Sequence, residues 1–245
     1  MASKVSETWR SERLGREIKV CRWGEVGTPL LLFPTAGGDA EEIERFWMID
    51  YLKDLLEAQR IKVYSCDSTA GQALLAESNK MEHAARAQQK FDSFLYHELV
   101  PLIRKDCQTP DIEIVTAGAS IGAYQALSAV CRHPDVFKLA ICMSGTYDLA
   151  KFMEGEPNGD HYYNTPTRFV PNLPEGAHLE QLRKRFVLLT HGKGKAEEPE
   201  QSWRVAKVLG SRNIPNHVYE WGEEWPHDWP TWRKMLPMYV AEYVK

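Results

Sequence analysis

The sequence contains few cysteines, and they form no recognisable motif. The 245 residues include five, widely spaced and odd in number, with no Cys-x-x-Cys pair: Cys21, Cys66, Cys107, Cys131 and Cys142. Such a set predicts neither a disulfide framework nor a zinc site. Reduced thiols in a cytoplasmic protein explain it best, so we expect a cytoplasmic location.

Long apolar runs and blocks of basic charge are also missing. Residues 1–20 alternate polar and charged side chains without an apolar stretch, which predicts neither a signal peptide nor a membrane span. The net charge of −4, with no basic block, argues against a nucleic-acid partner. We therefore expect a protein that binds neither nucleic acid nor membrane. The oligomeric state stays open, a homo-oligomer included.

What the sequence does contain is a regular alternation of short β-like runs and longer amphipathic stretches. This alternation predicts βαβ units around a mostly parallel sheet, and hence one α/β domain over residues 1–245. Apolar residues make up 43% of the chain, enough for a substantial core. The predicted strands are 17–23 (an edge strand), 29–34, 61–66, 112–117, 137–144, 186–190 and 217–221. The predicted helices are 41–59, 81–104, 123–130 and 231–244.

One segment, about residues 147–176, shows no sustained period. It is rich in proline, glycine, asparagine and aromatic residues. At this position in an α/β sheet it predicts a loop or small cap insertion near the carboxyl ends of the strands, where ligands bind. A plain surface excursion is the alternative, and the aromatic content favours a pocket wall.

The motif Gly118-Ala119-Ser120-Ile121-Gly122 joins a predicted strand to a predicted helix. This context is typical of a nucleophile elbow, a strained turn that projects a serine hydroxyl beyond the sheet. Glycines two residues on either side avoid a clash as strand and helix close on each other. The pattern predicts Ser120 as a nucleophile, with an ordinary glycine-rich turn as the alternative.

A serine hydroxyl needs an imidazole to take its proton and a carboxylate to hold that imidazole. In sheets built around such an elbow, the order is serine, acid, histidine, with the histidine after the last strand. His227 is the only histidine in that place, and His191 is the alternative base. The acid is expected in the loop after strand 186–190, where we favour Glu197 over Glu198 and Glu200.

Acyl transfer also needs hydrogen-bond donors for the developing oxyanion. One is the backbone N–H that follows the nucleophile, that of Ile121. The second is expected in the turn after strand 29–34, where small residues let the backbone approach the reacting carbonyl. We assign Ala36 N–H, with Gly37 as the alternative. Trp225, beside the predicted base, is expected to line an acyl or alcohol pocket.

Over about residues 16–245 these features resemble the esterase D / antigen 85-like branch of the α/β hydrolases. The resemblance implies the α/β-hydrolase fold, with helices on both faces of the sheet, and a Ser-Asp/Glu-His triad acting on carboxylic esters. The chain departs from the family pattern in having Pro34-Thr35 where many relatives carry His-Gly, and Gly-x-Gly-x-x-Glu in place of Gly-x-x-Asp. The motifs that carry the resemblance are Phe33-Pro34-Thr35-Ala36-Gly37-Gly38-Asp39, Gly118–Gly122, His133-Pro134-Asp135-Val136-Phe137 before Ser144-Gly145, and His227-Asp228-Trp229 with Trp232.

We therefore expect a serine carboxylic ester hydrolase that acts on a small ester and needs no metal or organic cofactor. An acyltransferase or thioesterase with the same triad is the first alternative. A non-catalytic binding protein on the same fold is the second, because fold alone does not establish activity. The complete order of serine, carboxylate and histidine argues against that second alternative.

Overall fold

A computed structural model describes residues 3–76, 81–149 and 159–245. Eight strands found within these ranges form one sheet: β1 (Lys4–Arg10), β2 (Glu17–Trp23), β3 (Thr28–Phe33), β4 (Ile61–Cys66), β5 (Ile114–Ala119), β6 (Phe137–Met143), β7 (Phe186–His191) and β8 (Asn216–Glu220). Their order in the sheet is β1-β2-β4-β3-β5-β6-β7-β8. β2 is antiparallel to both of its neighbours, and every pair from β4 to β8 is parallel. The prediction of a mostly parallel sheet is confirmed.

The helices of these ranges lie between and beside the strands. They are α1 (Glu42–Arg45), α2 (Met48–Tyr51), α3 (Lys53–Glu57), α4 (Thr69–Leu74), α5 (Met81–Phe94), α6 (Val100–Asp106), α7 (Ile121–Arg132), α8 (Gly159–Asn164), α9 (Pro166–Phe169), α10 (Ala177–Leu182), α11 (Pro199–Ser211) and α12 (Trp229–Tyr243). None of the helices in the described ranges has the length and apolarity to cross a membrane.

Helices cover both faces of the sheet, as predicted. Successive residues of a strand point to opposite faces, and β3 shows this clearly. Leu30 and Leu32 belong to the apolar cluster that includes α1–α3 and α12, whereas Leu31 and Phe33 belong to the cluster that includes α5, α7 and α11. The central strands are therefore buried on both sides, which explains their continuous apolar sequence.

The outermost strand, β1, was not predicted, and the prediction that residues 17–23 form the edge is wrong. The side chains of β1 are nearly all exposed, so the strand lacks the buried apolar alternation on which sequence prediction depends. β1 is held instead by antiparallel pairing with β2, and Lys4 forms salt bridges with Glu41 and Glu44.

Two long predicted helices are interrupted in the structure. Residues 41–59 form three short helices rather than one. Trp47, with a left-handed φ of 58°, separates α1 from α2, and Leu52, with φ −92° and ψ 0°, separates α2 from α3. Residues 81–104 do form a helical run, but a π-helical turn at Leu95–Leu99 joins α5 to α6. Pro101, in the first turn of α6, has no N–H to donate to an α-helical bond.

The predicted cap segment lies between β6 and β7. Its residues 150–158, which include Phe152, fall outside the described ranges. The part from residue 159 forms α8, α9 and a 3₁₀ turn at Val170–Asn172, so it is helical rather than a loop. Phe169, one of the aromatic residues of this segment, is buried in the core cluster that includes α5 and α7.

Candidate active site

The central parallel strands end at one level, so the segments that follow them meet at one edge of the sheet. Phe33 pairs with Gly118, Ala119 with Met143, and Met143 with Thr190. This edge, at the carboxyl ends of parallel strands, is where α/β sheets bind ligands. The segments that meet here are residues 34–40, 120–122, 144–149, 192–198 and 221–228.

Ser120 directly follows β5 in a strained conformation. Its φ of 56° and ψ of −120° lie outside the usual regions for a residue with a side chain. The backbone is fixed there because Ser120 N–H donates to Met143 O at 3.0 Å and Ser120 O accepts from Thr146 N–H at 3.2 Å. Its hydroxyl is partly exposed and has no hydrogen-bond partner within the described ranges. This is the geometry of a nucleophile elbow.

The two glycines that flank Ser120 are required by close contacts. A Cβ atom on Gly118 would collide with the main chain of Gly122. A Cβ atom on Gly122 would lie 2.6 Å from Phe33 O and 2.7 Å from Pro34 O. The predicted reason for these glycines is confirmed. The contacts also set the N-terminus of α7 against the end of β3.

The turn after β3 leaves two amides unused. Gly38 N–H donates to Thr35 O at 3.1 Å, which closes a turn with Ala36 and Gly37 at its centre. Thr35 N–H is already engaged, because it donates to Glu42 Oε2 at 2.7 Å. Ala36 N–H and Gly37 N–H have no acceptor among the residues that the structure describes. Either of these amides is therefore available to an oxyanion.

The buried Glu42 fixes this turn, and sequence reasoning missed it. Its carboxylate accepts both the N–H and the hydroxyl of Thr35, each at 2.7 Å. Burial raises the pKa of Glu42, although these two hydrogen bonds act in the opposite direction. A Cβ atom on Gly38 would lie 2.5 Å from the same carboxylate. A carboxylate in the first helical turn after a glycine-rich loop is the signal that could have found it.

Of the three candidate acids, Glu197 is the one beside His227. Its side chain is 1% exposed, and Oε2 lies 3.8 Å from His227 Nδ1. Glu197 Oε1 accepts a hydrogen bond from Ser144 Oγ at 2.6 Å. The alternatives Glu198 and Glu200 are exposed.

The loops that carry Glu197 and His227 are in contact at glycine residues of the Glu197 loop. Gly194 N–H donates to Trp225 O at 3.1 Å, and His227 N–H donates to Lys195 O at 3.0 Å. A Cβ atom on Gly192 would collide with Trp225 O, and one on Gly194 would lie 2.7 Å from Glu223 O. The Gly-x-Gly-x-x-Glu spacing that departs from the family pattern thus permits the contact between the two loops.

The imidazole of His227 lies partly exposed above Trp232. The two rings meet edge to face, with centroids 5.1 Å apart and an interplanar angle of 85°. In the described part of the chain His227 Nε2 has no hydrogen-bond partner, and no hydrogen bond joins it to the Ser120 hydroxyl. The alternative base, His191, is buried at the end of β7, where its Nε2 lies 3.8 Å from Glu220.

Trp225 contributes to this edge through both main chain and ring. Its carbonyl receives the loop contact from Gly194, and its half-buried ring packs edge to face against Trp221, with centroids 4.8 Å apart. Trp225 thus belongs to the loop of His227 and binds the loop of Glu197 through its carbonyl.

Comparison with known proteins identifies the family. The model of the family described as "Putative esterase" matches residues 59–243. The chain belongs to this family. The resemblance inferred from the motifs is confirmed, and the family makes the chain a carboxylic ester hydrolase. No curated protein sequence matches it.

Solved structures show the α/β-hydrolase fold. The chain is similar to a ferulic acid esterase, with a TM-score of 0.77 and 17% identity over 99% of this chain and 97% of that one. An S-formylglutathione hydrolase from Agrobacterium tumefaciens gives 0.75 and 12% over 99% and 95%. FphF, a fluorophosphonate-binding serine hydrolase of Staphylococcus aureus, gives 0.65 and 16% over 100% and 99%. At these identities the likeness shows the fold alone.

Proposed function

We propose that this esterase hydrolyses a small carboxylic ester through a triad of Ser120, His227 and Glu197. The observation that carries the proposal is the buried carboxylate of Glu197, 3.8 Å from His227 Nδ1. It lies at the same edge of the sheet as the strained Ser120. Serine hydroxyls are poor nucleophiles on their own, and this pair of groups supplies the base and the charge that activate one.

In the first half of the reaction, the Ser120 hydroxyl attacks the ester carbonyl carbon. His227 Nε2 takes the hydroxyl proton, and the Glu197 carboxylate stabilises the imidazolium that results. Collapse of the tetrahedral intermediate passes this proton to the leaving alcohol and leaves an acyl group on Ser120.

The negative charge of the intermediate falls on the former carbonyl oxygen. Ile121 N–H and Ala36 N–H are the proposed donors, with Gly37 N–H as the alternative second donor. Two observations support this assignment. A Cβ atom on Gly122 would collide with Phe33 O and Pro34 O, so the start of α7 lies close to the turn after β3, and Thr35 N–H is engaged by Glu42. Each donor of this type contributes about 3 kcal/mol to transition-state stabilisation.

In the second half, His227 activates a water molecule that attacks the acyl carbon. The acid is released and Ser120 regains its proton, so the scheme needs no metal or organic cofactor. Trp225 is the proposed wall of the acyl or alcohol pocket, because it is half-buried in the same loop as His227, two residues before it. Transfer to another acceptor, or attack on a thioester, would use the same groups; competition between water and added alcohols or thiols during turnover distinguishes these outcomes.

A cytoplasmic location is part of the same proposal. All five cysteines are unpaired, and four of them are buried. Burial raises the pKa of Cys142 to about 12 and also raises the pKa of Cys66 and Cys131. Buried protonated thiols suit a reducing compartment, where disulfides are rare.

The direct test is Ser120→Ala, assayed with short-chain p-nitrophenyl esters and with a fluorophosphonate probe. We expect hydrolysis to fall to the background rate and labelling to vanish, while the melting temperature stays close to that of the wild type. Ser128→Ala is the matched control, because Ser128 is a buried serine of α7 whose hydroxyl has no partner among the described residues. A Ser120→Ala protein as active as the control would refute the proposal.

A further inference from the structure

We propose that Ser144 and Trp232 are positioning residues that hold the Glu197 carboxylate toward His227. The inference rests on the proposed triad and extends it by two side chains. Ser144 directly follows β6, which lies beside the strand of the nucleophile elbow. Trp232 lies in the first turns of α12, five residues after His227 in the sequence.

The hydrogen bonds run in one direction only. Trp232 Nε1 lies 3.0 Å from Ser144 Oγ, and Ser144 Oγ lies 2.6 Å from Glu197 Oε1. An indole nitrogen can only donate, so Ser144 must accept from Trp232. The single hydroxyl proton of Ser144 is then directed to the carboxylate. Glu197 Oε1 is fixed by this bond, and Oε2 is left facing His227 Nδ1.

Burial makes these bonds hard to replace by water. Ser144 is 3% exposed and Trp232 is 4% exposed, and the side chain of Glu197 is 1% exposed. A buried carboxylate without donors carries a large desolvation penalty. A hydrogen bond to its ionised form offsets part of that penalty and restricts its rotation. The Ser144 hydroxyl supplies this bond.

Trp232 also contacts the base directly. The edge-to-face packing of its ring against His227 limits the tilt of the imidazole. One indole therefore contacts the base through its ring and is linked to the acid through Ser144. The contact of Oε2 with Nδ1 depends on the orientation of both groups.

The backbone conformation of Ser144 allows the role of its hydroxyl to be tested apart from the role of the turn. Its φ is 46°, in the left-handed region that glycine adopts without strain. Its N–H donates to Thr190 O at 2.7 Å, which holds the turn against β7. Glycine at this position would keep the turn and relieve the strain, but it would remove the hydroxyl.

The experiment compares Ser144→Gly, Ser144→Ala and Trp232→Phe by steady-state hydrolysis of a p-nitrophenyl ester. We expect kcat to fall about 10-fold or more in both Ser144 variants, with KM changed less than about twofold, since a buried hydrogen bond to a charged group is lost. Ser144→Gly should melt at or above Ser144→Ala, because glycine relieves the positive φ. Trp232→Phe keeps a ring beside His227 and should lose part of the same kcat.

A double variant tests whether the two side chains act in series. Ser144→Gly combined with Trp232→Phe should be about as slow as Ser144→Gly alone, because the indole N–H acts on Glu197 only through the serine. Ser128→Ala and Trp9→Phe are the controls. Ser128 is a buried serine without a hydroxyl partner in the described ranges, and Trp9, in the edge strand β1, donates its indole N–H to Glu98. Both controls should retain the wild-type kcat.

Three results would overturn the inference. They are a wild-type kcat in Ser144→Gly, a kcat that is low in Ser144→Ala but restored in Ser144→Gly, and losses that multiply in the double variant. Ser120→Ala separates this failure from failure of the triad. If Ser120→Ala is inactive and Ser144→Gly is unchanged, only the positioning role fails. If Ser120→Ala stays active, the triad fails and the positioning role fails with it.

Discussion

Two serines occupy matching places in neighbouring strands, and their surroundings give them different roles. Ser120 follows β5 and Ser144 follows β6, and both have positive φ, 56° and 46°. The Ser120 hydroxyl is partly exposed and lacks a partner within the described ranges, whereas the Ser144 hydroxyl is buried between Trp232 and Glu197. A strained turn after a strand therefore presents a hydroxyl, and the groups around it decide what that hydroxyl does.

The difference originates in the segments that follow the two turns. After Ser120 the chain enters α7 at once, and Gly122 lets the helix end lie against β3. Ala123 N–H then donates to Ser120 O, whereas the amides of Ile121 and Gly122 have no acceptor in the described ranges and remain available to a ligand. After Ser144 the chain is covered by α12 and by the loop that follows β7, whose polar groups use the hydroxyl.

Among the substitutions that test the different roles of the two serines, Ser120→Ala should have the largest effect. Loss of the nucleophile should lower kcat for ester hydrolysis by about 10⁴-fold or more. This is far beyond the about 10-fold loss expected for Ser144→Gly. Steady-state kinetics on both purified variants gives the ratio, and equal losses would remove the distinction between the two serines.

Glu197→Gln should have the next largest effect. The amide keeps the size of the side chain but removes the negative charge opposite His227, so kcat should fall about 10³-fold. Glu200→Gln, an exposed carboxylate at the start of α11, is the control and should keep full activity. A larger loss in the control than in Glu197→Gln would move the acid elsewhere in the loop.

Gly192→Ala should have an intermediate effect. Its added Cβ atom would collide with Trp225 O, push the two loops apart and lengthen the distance from Glu197 to His227. We expect kcat to fall about 10-fold, because small displacements of catalytic groups are costly. Gly210→Ala in α11 is the control, since no atom lies within 4 Å of the added Cβ. Equal kcat in the two variants would contradict the role of the loop contact.

The smallest effect concerns Glu42 and pH. Because its pKa in the folded protein is raised above 4.5, the folded state holds more of this proton than the unfolded state does. The stability linked to Glu42 is therefore present below about pH 4.5 and declines as pH rises through the folded pKa. Glu42→Gln should remove this decline, so its stability relative to the wild type should be higher at pH 7 than at pH 4. Urea unfolding at both pH values measures the difference, and an opposite trend would contradict the sign.

Local patterns in the sequence predict the parts of the fold that local chemistry determines. The central buried strands follow from their apolar runs, and the turn at Ser120 follows from its flanking glycines. The broken helix at Trp47 and the exposed strand β1 could not be predicted, because no periodic pattern marks either of them. Both depend on contacts with distant residues.

The residues of the candidate site also differ in whether the local sequence predicts them. Ser120 and His227 were proposed from chain order, and Glu197 was favoured among three carboxylates; these assignments remain predictions. Ser144 was missed because its partners are 53 and 88 residues away in sequence. Only the folded sheet brings such groups together. A local sequence motif can therefore predict the nucleophile, but it cannot predict the residues that position the acid.

The most direct measurement is mass spectrometry of the intact and digested protein after reaction with a fluorophosphonate. We expect one adduct per chain, located on Ser120, with Ser144 unmodified. The adduct should form at least about 10 times more slowly in Ser144→Gly, because the carboxylate behind the base has lost its donor. An adduct on Ser144, or a reactive protein whose adduct lies outside the peptide containing Ser120, would contradict the assignment of Ser120 as the nucleophile.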